Sequence, residues 1–210
     1  MLRLLIFLFI LAAGFISAAG QSDEPPTPEA DRFVYGIVVD NSGTFRIGLE
    51  RAVRVLAKVA EQNSETDSAF VITYSGADKL RLRHESRADS LVLADVILHH
   101  DAEAGSGALL DAIRLGAEQL IANRASADGH LSLVIATDGD ARDSAAKPDE
   151  LLKYLLENRV RLHALVIADA KAKHDALDRL IRGTSGKKYV VTGDPGAVAD
   201  EIARDIRAKD

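Results

Sequence analysis

Four oxygen-bearing side chains of this sequence follow two apolar segments. Asp40, Ser42 and Thr44 stand at alternate positions directly after one apolar run, and Asp138 comes two residues after the end of another. Carboxylate and hydroxyl oxygens, together with water, are the ligands that hard divalent cations take in proteins. We therefore interpret these four residues as candidate ligands of one hard divalent cation such as Mg²⁺.

The apolar runs have the length of β-strands, and longer segments with helical spacing separate most of them. The runs span residues 33–39, 69–74, 131–136, 160–167 and 188–191. Apolar strands that alternate with amphipathic helices indicate an α/β fold with a doubly wound, mostly parallel sheet and helices on both faces. A sixth segment, 79–84, alternates apolar and basic residues. We predict that it forms an antiparallel edge strand, whose charges block edge-to-edge pairing.

If the sheet reverses its strand order between the first run and the run 131–136, Asp40 and Asp138 face each other across the crevice. Ligands of doubly wound sheets lie beyond the carboxyl ends of the strands at such a reversal. Two carboxylates about 5 Å apart repel by roughly 3 kcal/mol at an effective dielectric near 20. A shared proton, a basic side chain or a cation must offset this repulsion. Neither turn holds a Lys or Arg before Arg46 and Arg142, which favours a cation.

The composition is that of a globular domain, and it excludes several kinds of site. The chain has 210 residues, of which 47% are hydrophobic and 28% charged, and its formal net charge is -6. An acidic chain is a poor match for nucleic acid or an anionic membrane, so we expect neither as a partner. The absence of cysteine excludes a disulfide framework, a thiolate zinc site and a cysteine nucleophile.

The first twenty residues have the pattern of a secretory signal peptide. Arg3 precedes a short apolar stretch, and small residues follow at a cleavage position near Ala19 or Gly20. Residues 21–31 are acidic and proline-rich, which indicates an extended linker. We therefore predict a signal peptide over 1–20, a linker over 21–31 and a domain over 32–210. Because no later hydrophobic span follows, we expect a secreted or periplasmic protein without a membrane span after cleavage.

Four motifs in register resemble the von Willebrand factor A family. DNSGT (40–44) is similar to its Asp-x-Ser-x-Ser/Thr signature, and ATDGD (136–140) to its strand-ending Thr-Asp-Gly. GALLDAI (107–113) resembles its loop-to-helix segment and TSGKKYVV (184–191) the segment before its last helix. The resemblance covers roughly residues 33–208.

The resemblance implies a Rossmann-like fold and a role in protein binding without catalysis. It places Asp40, Ser42, Thr44 and Asp138 in a metal-ion-dependent adhesion site that holds Mg²⁺ or Mn²⁺. It also implies that an acidic side chain of a partner protein completes the metal shell. One departure concerns the middle loop, where the family usually has a metal-binding threonine and this chain has Gly107. Ser106 is adjacent and could substitute if the loop shifts.

Two other functions remain open at this point. DNSGT and TDGDARD also resemble the haloacid-dehalogenase-like phosphatases, in which Asp40 would be the nucleophile. Ser42 then stands where such an enzyme needs a second acid to protonate the leaving group, and a serine cannot supply that proton near neutral pH. The third possibility is a metal-free structural interaction domain.

Ordinary structural roles are also available for several of these residues. The residues Asp40 to Gly43 favour helix caps and turns as well as ligation. Thr137 is expected to bond the local backbone, and Asp111 to suit the dipole at its helix start. Asp140 and Asp143 are expected to be solvated loop acids, and His163 a buried core residue.

Overall fold

The structure is a computed structural model of the chain, and it describes residues 33–87, 89–124, 131–167, 175–191 and 193–208. The predicted signal peptide 1–20 and linker 21–31 lie outside the described residues. Within the described part, no helix is long and apolar enough to cross a membrane.

In the described part of the chain, six strands form one sheet in the order β3-β2-β1-β4-β5-β6. All neighbours are parallel except β3, which runs antiparallel to β2 at one edge. The predicted doubly wound sheet with one antiparallel edge strand is therefore confirmed. The strands are β1 Val34–Asp40, β2 Ser68–Tyr74, β3 Leu80–Arg87, β4 Leu131–Ala136, β5 Val160–Ile167 and β6 Lys188–Val191.

Six helices among the described residues cover the two faces of the sheet. Alternate side chains of each central strand point to opposite faces, so each face has its own apolar core. One core joins the sheet to α1, α2 and α6, and the other joins it to α3, α4 and α5. The helices are α1 Arg46–Ala60, α2 Ser90–Leu98, α3 Leu109–Ala122, α4 Pro148–Glu157, α5 Asp175–Gly183 and α6 Pro195–Arg207.

Helix α2 is the element that the sequence patterns did not indicate. Its sequence, SLVLADVIL, is apolar on nearly every side, so no helical spacing stands out. Asp89 caps its start by accepting hydrogen bonds from the amides of Leu91 and Val92. The helix buries Leu93 and Ile97 against α1 and the sheet, and it leaves Leu91 exposed.

The strand order reverses at β1, which lies between β2 and β4. Val39 pairs in register with Ala136 of β4, and Asp40 pairs with Tyr74 of β2. The carboxyl ends of the three strands therefore meet at one edge of the sheet. Asp40, Tyr74 and Thr137 are brought together there by strand pairing.

Candidate metal-binding site

Asp40 is a fully buried carboxylate at the carboxyl end of β1. Its Oδ1 accepts a hydrogen bond from the backbone amide of Ser42 at 2.9 Å. Its Oδ2 accepts one from the Tyr74 hydroxyl at 2.9 Å and one from the Thr137 hydroxyl at 3.0 Å. In the described part of the chain, no Lys or Arg hydrogen bonds to this carboxylate. A buried acid held only by neutral donors is a favourable place for a cation.

Burial raises the pKa of the Asp40 carboxyl to about 6. The hydrogen bonds from Ser42 and Tyr74 act in the opposite direction, because they stabilise the charged form. Repulsion from Asp138 raises the pKa further. The negative charge of Asp40 is therefore costly in this environment unless a positive charge approaches it.

Ser42 and Thr44 form the rest of the loop that follows β1. Their side-chain oxygens lie 2.9 Å apart and share a hydrogen bond. Ser42 is fully buried, whereas Thr44 is exposed and the next residue, Phe45, is buried. Phe45 anchors the start of α1, so the two hydroxyls are held on the loop between β1 and that helix.

Asp138 follows the neighbouring strand β4 and is half-buried. Its Oδ1 accepts the backbone amide of Asp140 at 3.0 Å, and its charge acts on Asp40. The structure thus places Asp40, Ser42 and Thr44 in one hydrogen-bonded group with Asp138 at the adjacent strand end. Metal ligation by these four residues stays a prediction.

The middle loop offers no room for a side chain at Gly107. A Cβ atom there would lie 2.2 Å from the carbonyl oxygen of Asp140. The amide of Gly107 donates to the Asp140 carboxylate at 3.2 Å, and its carbonyl accepts the amide of Asp143. The neighbouring Ser106 hydroxyl donates to the Asp143 carboxylate. Glycine at this position is therefore a packing requirement of the loop.

The remaining acids of this region hold loops together. Asp140 was expected to be solvated, but its side chain is only 10% exposed and accepts hydrogen bonds from Arg142, which lower its carboxyl pKa. Asp111 accepts the backbone amides of Ala145 and Ala146. These bonds tie the segment after β4 to the start of α3.

The donor set fits a hard divalent ion, although it is not a cluster of acids. Within the described residues, no group of three or more Asp, Glu or His side chains is arranged to hold a metal. Two carboxylates and two hydroxyls are nevertheless suitable oxygen ligands, and Asp40 provides the buried charge that needs compensation.

Tyr74 is the residue of the site that the sequence patterns did not single out. The apolar run 69–74 predicts it only as a strand residue, whereas its hydroxyl hydrogen bonds to both the Asp40 carboxylate and the Thr137 hydroxyl. Its place at the end of the apolar run 69–74 is the one sequence signal, and the pairing of β2 with β1 is known only from the structure. Thr137 also accepts the amide of Gly139, as expected of a local backbone partner.

No protein-family model and no curated protein sequence matches the chain. Solved structures, in contrast, do match the chain. A von Willebrand factor type A structure from Catenulispora acidiphila superposes with a TM-score of 0.68 at 15% identity, covering 84% of this chain and 42% of that one. The chain has the von Willebrand factor A (VWA) fold.

Two further structures share the VWA architecture over nearly their whole length. The protein BatB from Bacteroides thetaiotaomicron superposes with a TM-score of 0.67 at 13% identity, covering 83% of this chain and 97% of that one. An aerotolerance-related membrane protein from Bacteroides fragilis gives 0.66 at 14% identity, covering 83% and 98%. At these identities the similarity establishes the fold.

Proposed function

We propose that this protein is an exported, non-enzymatic interaction domain that binds a partner protein through a divalent cation. Asp40, Ser42 and Thr44 supply the ligands from the loop after β1. Asp138 acts directly or through a water molecule. The ion is Mg²⁺ or Mn²⁺, and an acidic side chain of the partner completes its shell.

The observation that carries this proposal is the environment of Asp40. Its carboxylate is fully buried at the reversal of strand order, and burial raises its pKa to about 6. The bound cation would offset this buried charge and present an open coordination position to an incoming carboxylate. Tyr74 and Thr137 fix the orientation of Asp40, while the hydroxyls of Ser42 and Thr44 add neutral oxygens.

Thermal unfolding with and without MnCl₂ tests the metal. A ligand that binds only the folded state stabilises it by about 2.7 kcal/mol at one hundred times its dissociation constant. We expect the melting temperature to rise in millimolar MnCl₂ and to return after EDTA. Asp138→Ala and Ser42→Ala should lose this shift and keep the fold.

Asp95→Ala is the matched control, because Asp95 is an exposed acid on α2, 71% accessible at its side chain. It should retain the full Mn²⁺ shift. An unshifted melting temperature in the wild type would overturn the metal site. Calorimetric titration of Mn²⁺ into the same four proteins measures the affinity directly.

The second candidate is a metal-free interaction domain, and the middle loop favours it. Gly107 has no space for a ligating side chain, and the Ser106 hydroxyl is bonded to Asp143. Partner binding that survives EDTA and the Asp138→Ala change would support this alternative.

A phosphatase receives no comparable support. The Ser42 side chain, which stands where the second acid would be, shares a hydrogen bond with Thr44. None of the three similar structures carries a name that describes an enzymatic activity. Phosphatase turnover that is lost in Asp40→Asn would revive this alternative.

Export is the remaining part of the proposal. It is supported by the basic, apolar and small-residue pattern of residues 1–20. One of the similar structures is named a membrane protein, which is consistent with a place in or near the cell envelope.

A further inference from the structure

We propose that the partner occupies a groove beside Asp40 and Ser42 as well as the cation. The groove binds an extended segment of the partner protein. The acidic residues of that segment lie at the Gly43 end of the groove, and a large apolar residue of the segment lies next to them. This inference rests on the proposed function, because the same partner segment would supply the metal-bound acid.

The groove is continuous with the candidate metal loop. It has a volume of about 600 Å³ and runs between α1 and the segment 98–104. Its near end is formed by Gly43, which lies between Ser42 and Thr44 in the sequence. A segment whose acid reaches the metal loop can therefore continue directly into the groove.

The floor and rim of the groove are suited to an apolar side chain. Leu49 and Val53 line it from successive turns of α1, and Leu98 lines it from the end of α2. Leu98 is 45% exposed, and Ile47 in the first turn of α1 is 91% exposed. Ile47 is outside the groove lining itself, and helical spacing places it beside the lining residue Glu50, three positions on, at the edge of the groove.

The unpaired charge in the groove lining next to the metal loop is positive in the described part of the chain. Arg46 lines the groove two residues after Thr44, and it makes no ion pair or side-chain hydrogen bond in the described part of the chain. Glu50, also in the lining, is paired with Arg54 at 2.5 Å. An acidic partner residue at the Gly43 end therefore meets an available guanidinium.

The opposite wall of the groove, formed by the segment 98–104, is less favourable for an acidic partner residue. Glu103 pairs with Arg81 at 3.2 Å and with Arg83 at 3.5 Å, so its charge is offset. Asp101 has no side-chain ion pair among the described residues. Asp101 is thus the unpaired charge of that wall, so an acidic partner residue is favoured beside Arg46, at the Gly43 end.

A random octapeptide library displayed on phage, selected on the purified protein in MnCl₂, tests this inference. We expect the selected peptides to contain Asp or Glu with Leu, Ile, Phe or Met within three positions. Synthetic fluorescent copies should bind Ile47→Ser about tenfold more weakly and Arg46→Gln several-fold more weakly by fluorescence polarisation.

Leu156→Ser is the matched control, since Leu156 is 52% exposed on α4, which covers the other face of the sheet. It should bind the peptides as the wild type does. Ile47→Ser should keep its melting temperature, because Ile47 is almost fully exposed.

The outcomes separate the groove from the metal site. Peptides that require Mn²⁺ but bind Ile47→Ser and Arg46→Gln normally would refute the groove and leave the metal proposal intact. Peptides that lose affinity for Ile47→Ser yet ignore EDTA would support the groove and refute the metal. Selection of no peptide, or of peptides without the acidic and apolar pattern, would also refute the groove.

Discussion

At the scale of single residues, Asp40 determines the character of the site. A carboxylate that is buried away from solvent usually has a cationic partner or accepts several hydrogen bonds. Within the described residues, Asp40 accepts three hydrogen bonds, all from neutral donors, and the charge of Asp138 after the neighbouring strand repels it. The raised pKa shows that the folded protein holds the charged form unfavourably. The cation of the proposed function would remove this penalty.

Asp40→Asn is therefore expected to stabilise the metal-free protein. The folded-state pKa of about 6 lies above the ordinary 3.8, so the free energy of unfolding falls as pH rises between these values. The neutral amide removes this loss, and it can still accept from Ser42 and donate towards Tyr74. Urea unfolding in EDTA at pH 7.5 should show a gain of about 1–3 kcal/mol.

The same comparison at pH 4 provides the control for Asp40→Asn. There the wild-type carboxyl is mostly protonated in the folded state, so the two proteins should differ little. A variant that is less stable than wild type at pH 7.5 would contradict this description of Asp40.

At the scale of elements, the middle loop between α2 and α3 connects the other loops of the site. Glu103 donates its amide to the carbonyl of Asn41, and Lys79 reaches the carbonyl of Ala104. Gly105 packs so closely on Ser75 that a Cβ atom would lie 1.8 Å from its carbonyl oxygen. Gly107 makes the equivalent contact with Asp140. The two glycines let the loop approach both neighbours.

Gly107→Thr introduces the residue of the family pattern, and we expect it to impair the protein. The new Cβ would collide with the backbone of Asp140, so the loop must move or the fold must lose stability. A loss of about 2–4 kcal/mol in urea unfolding is expected, with no gain in Mn²⁺ affinity.

Gly193→Ala is the matched control for this steric argument. A Cβ atom at Gly193 meets nothing within 4 Å, and its stability should change by less than about 0.5 kcal/mol. Tighter Mn²⁺ binding by Gly107→Thr would show that the middle loop can open to admit a ligand.

At the scale of the whole molecule, the stability of the fold should depend on pH through His163. This histidine lies on β5, is 1% exposed, and accepts the amide of Lys187 through Nδ1. Burial lowers its imidazole pKa to about 4. Since the unfolded chain binds the proton more tightly, the contribution of His163 to the free energy of unfolding should fall as pH decreases from about 6.5 to 4, opposite in sign to that of Asp40.

His163→Gln should remove this loss, so that its free energy of unfolding relative to the wild type increases as pH decreases. The wild-type loss through this group is expected to be roughly 3 kcal/mol at most, measured by urea unfolding between pH 7 and 4.5. His99→Gln, at an exposed histidine, should follow the wild-type profile. Parallel profiles for wild type and His163→Gln would exclude the buried imidazole as the cause.

Export is the second prediction at this scale. When the full chain is produced in a bacterial host, the intact mass of the product in the envelope fraction should correspond to a start near Gln21. Leu8→Arg interrupts the apolar core of the predicted signal peptide and should leave an uncleaved chain. Thr27→Arg in the predicted linker should be processed normally.

The sequence by itself determined the sheet and most of its helices. Apolar runs such as 131–136 and 160–167 coincide with β4 and β5, because a strand buried on both faces needs apolar residues throughout. The basic alternation of 79–84 likewise predicted the antiparallel edge strand β3. The ligand types of the candidate site were also readable, since they follow strand ends directly. Helix α2 could not be predicted from the sequence, because its residues are apolar on nearly every side and show no helical period.

Only the tertiary structure decided which groups surround those side chains. Tyr74 reaches Asp40 because β2 pairs with β1, and no local pattern around Tyr74 indicates this contact. The closed position of Gly107 depends on a loop more than thirty residues away in the chain. The groove beside Ile47 likewise exists because α2 packs against α1. Local sequence sets the backbone preference and the chemistry of each side chain. The burial of a carboxylate, its repulsion by a second acid and the space beside a glycine depend on residues that are distant in the sequence and come into contact only in the folded protein.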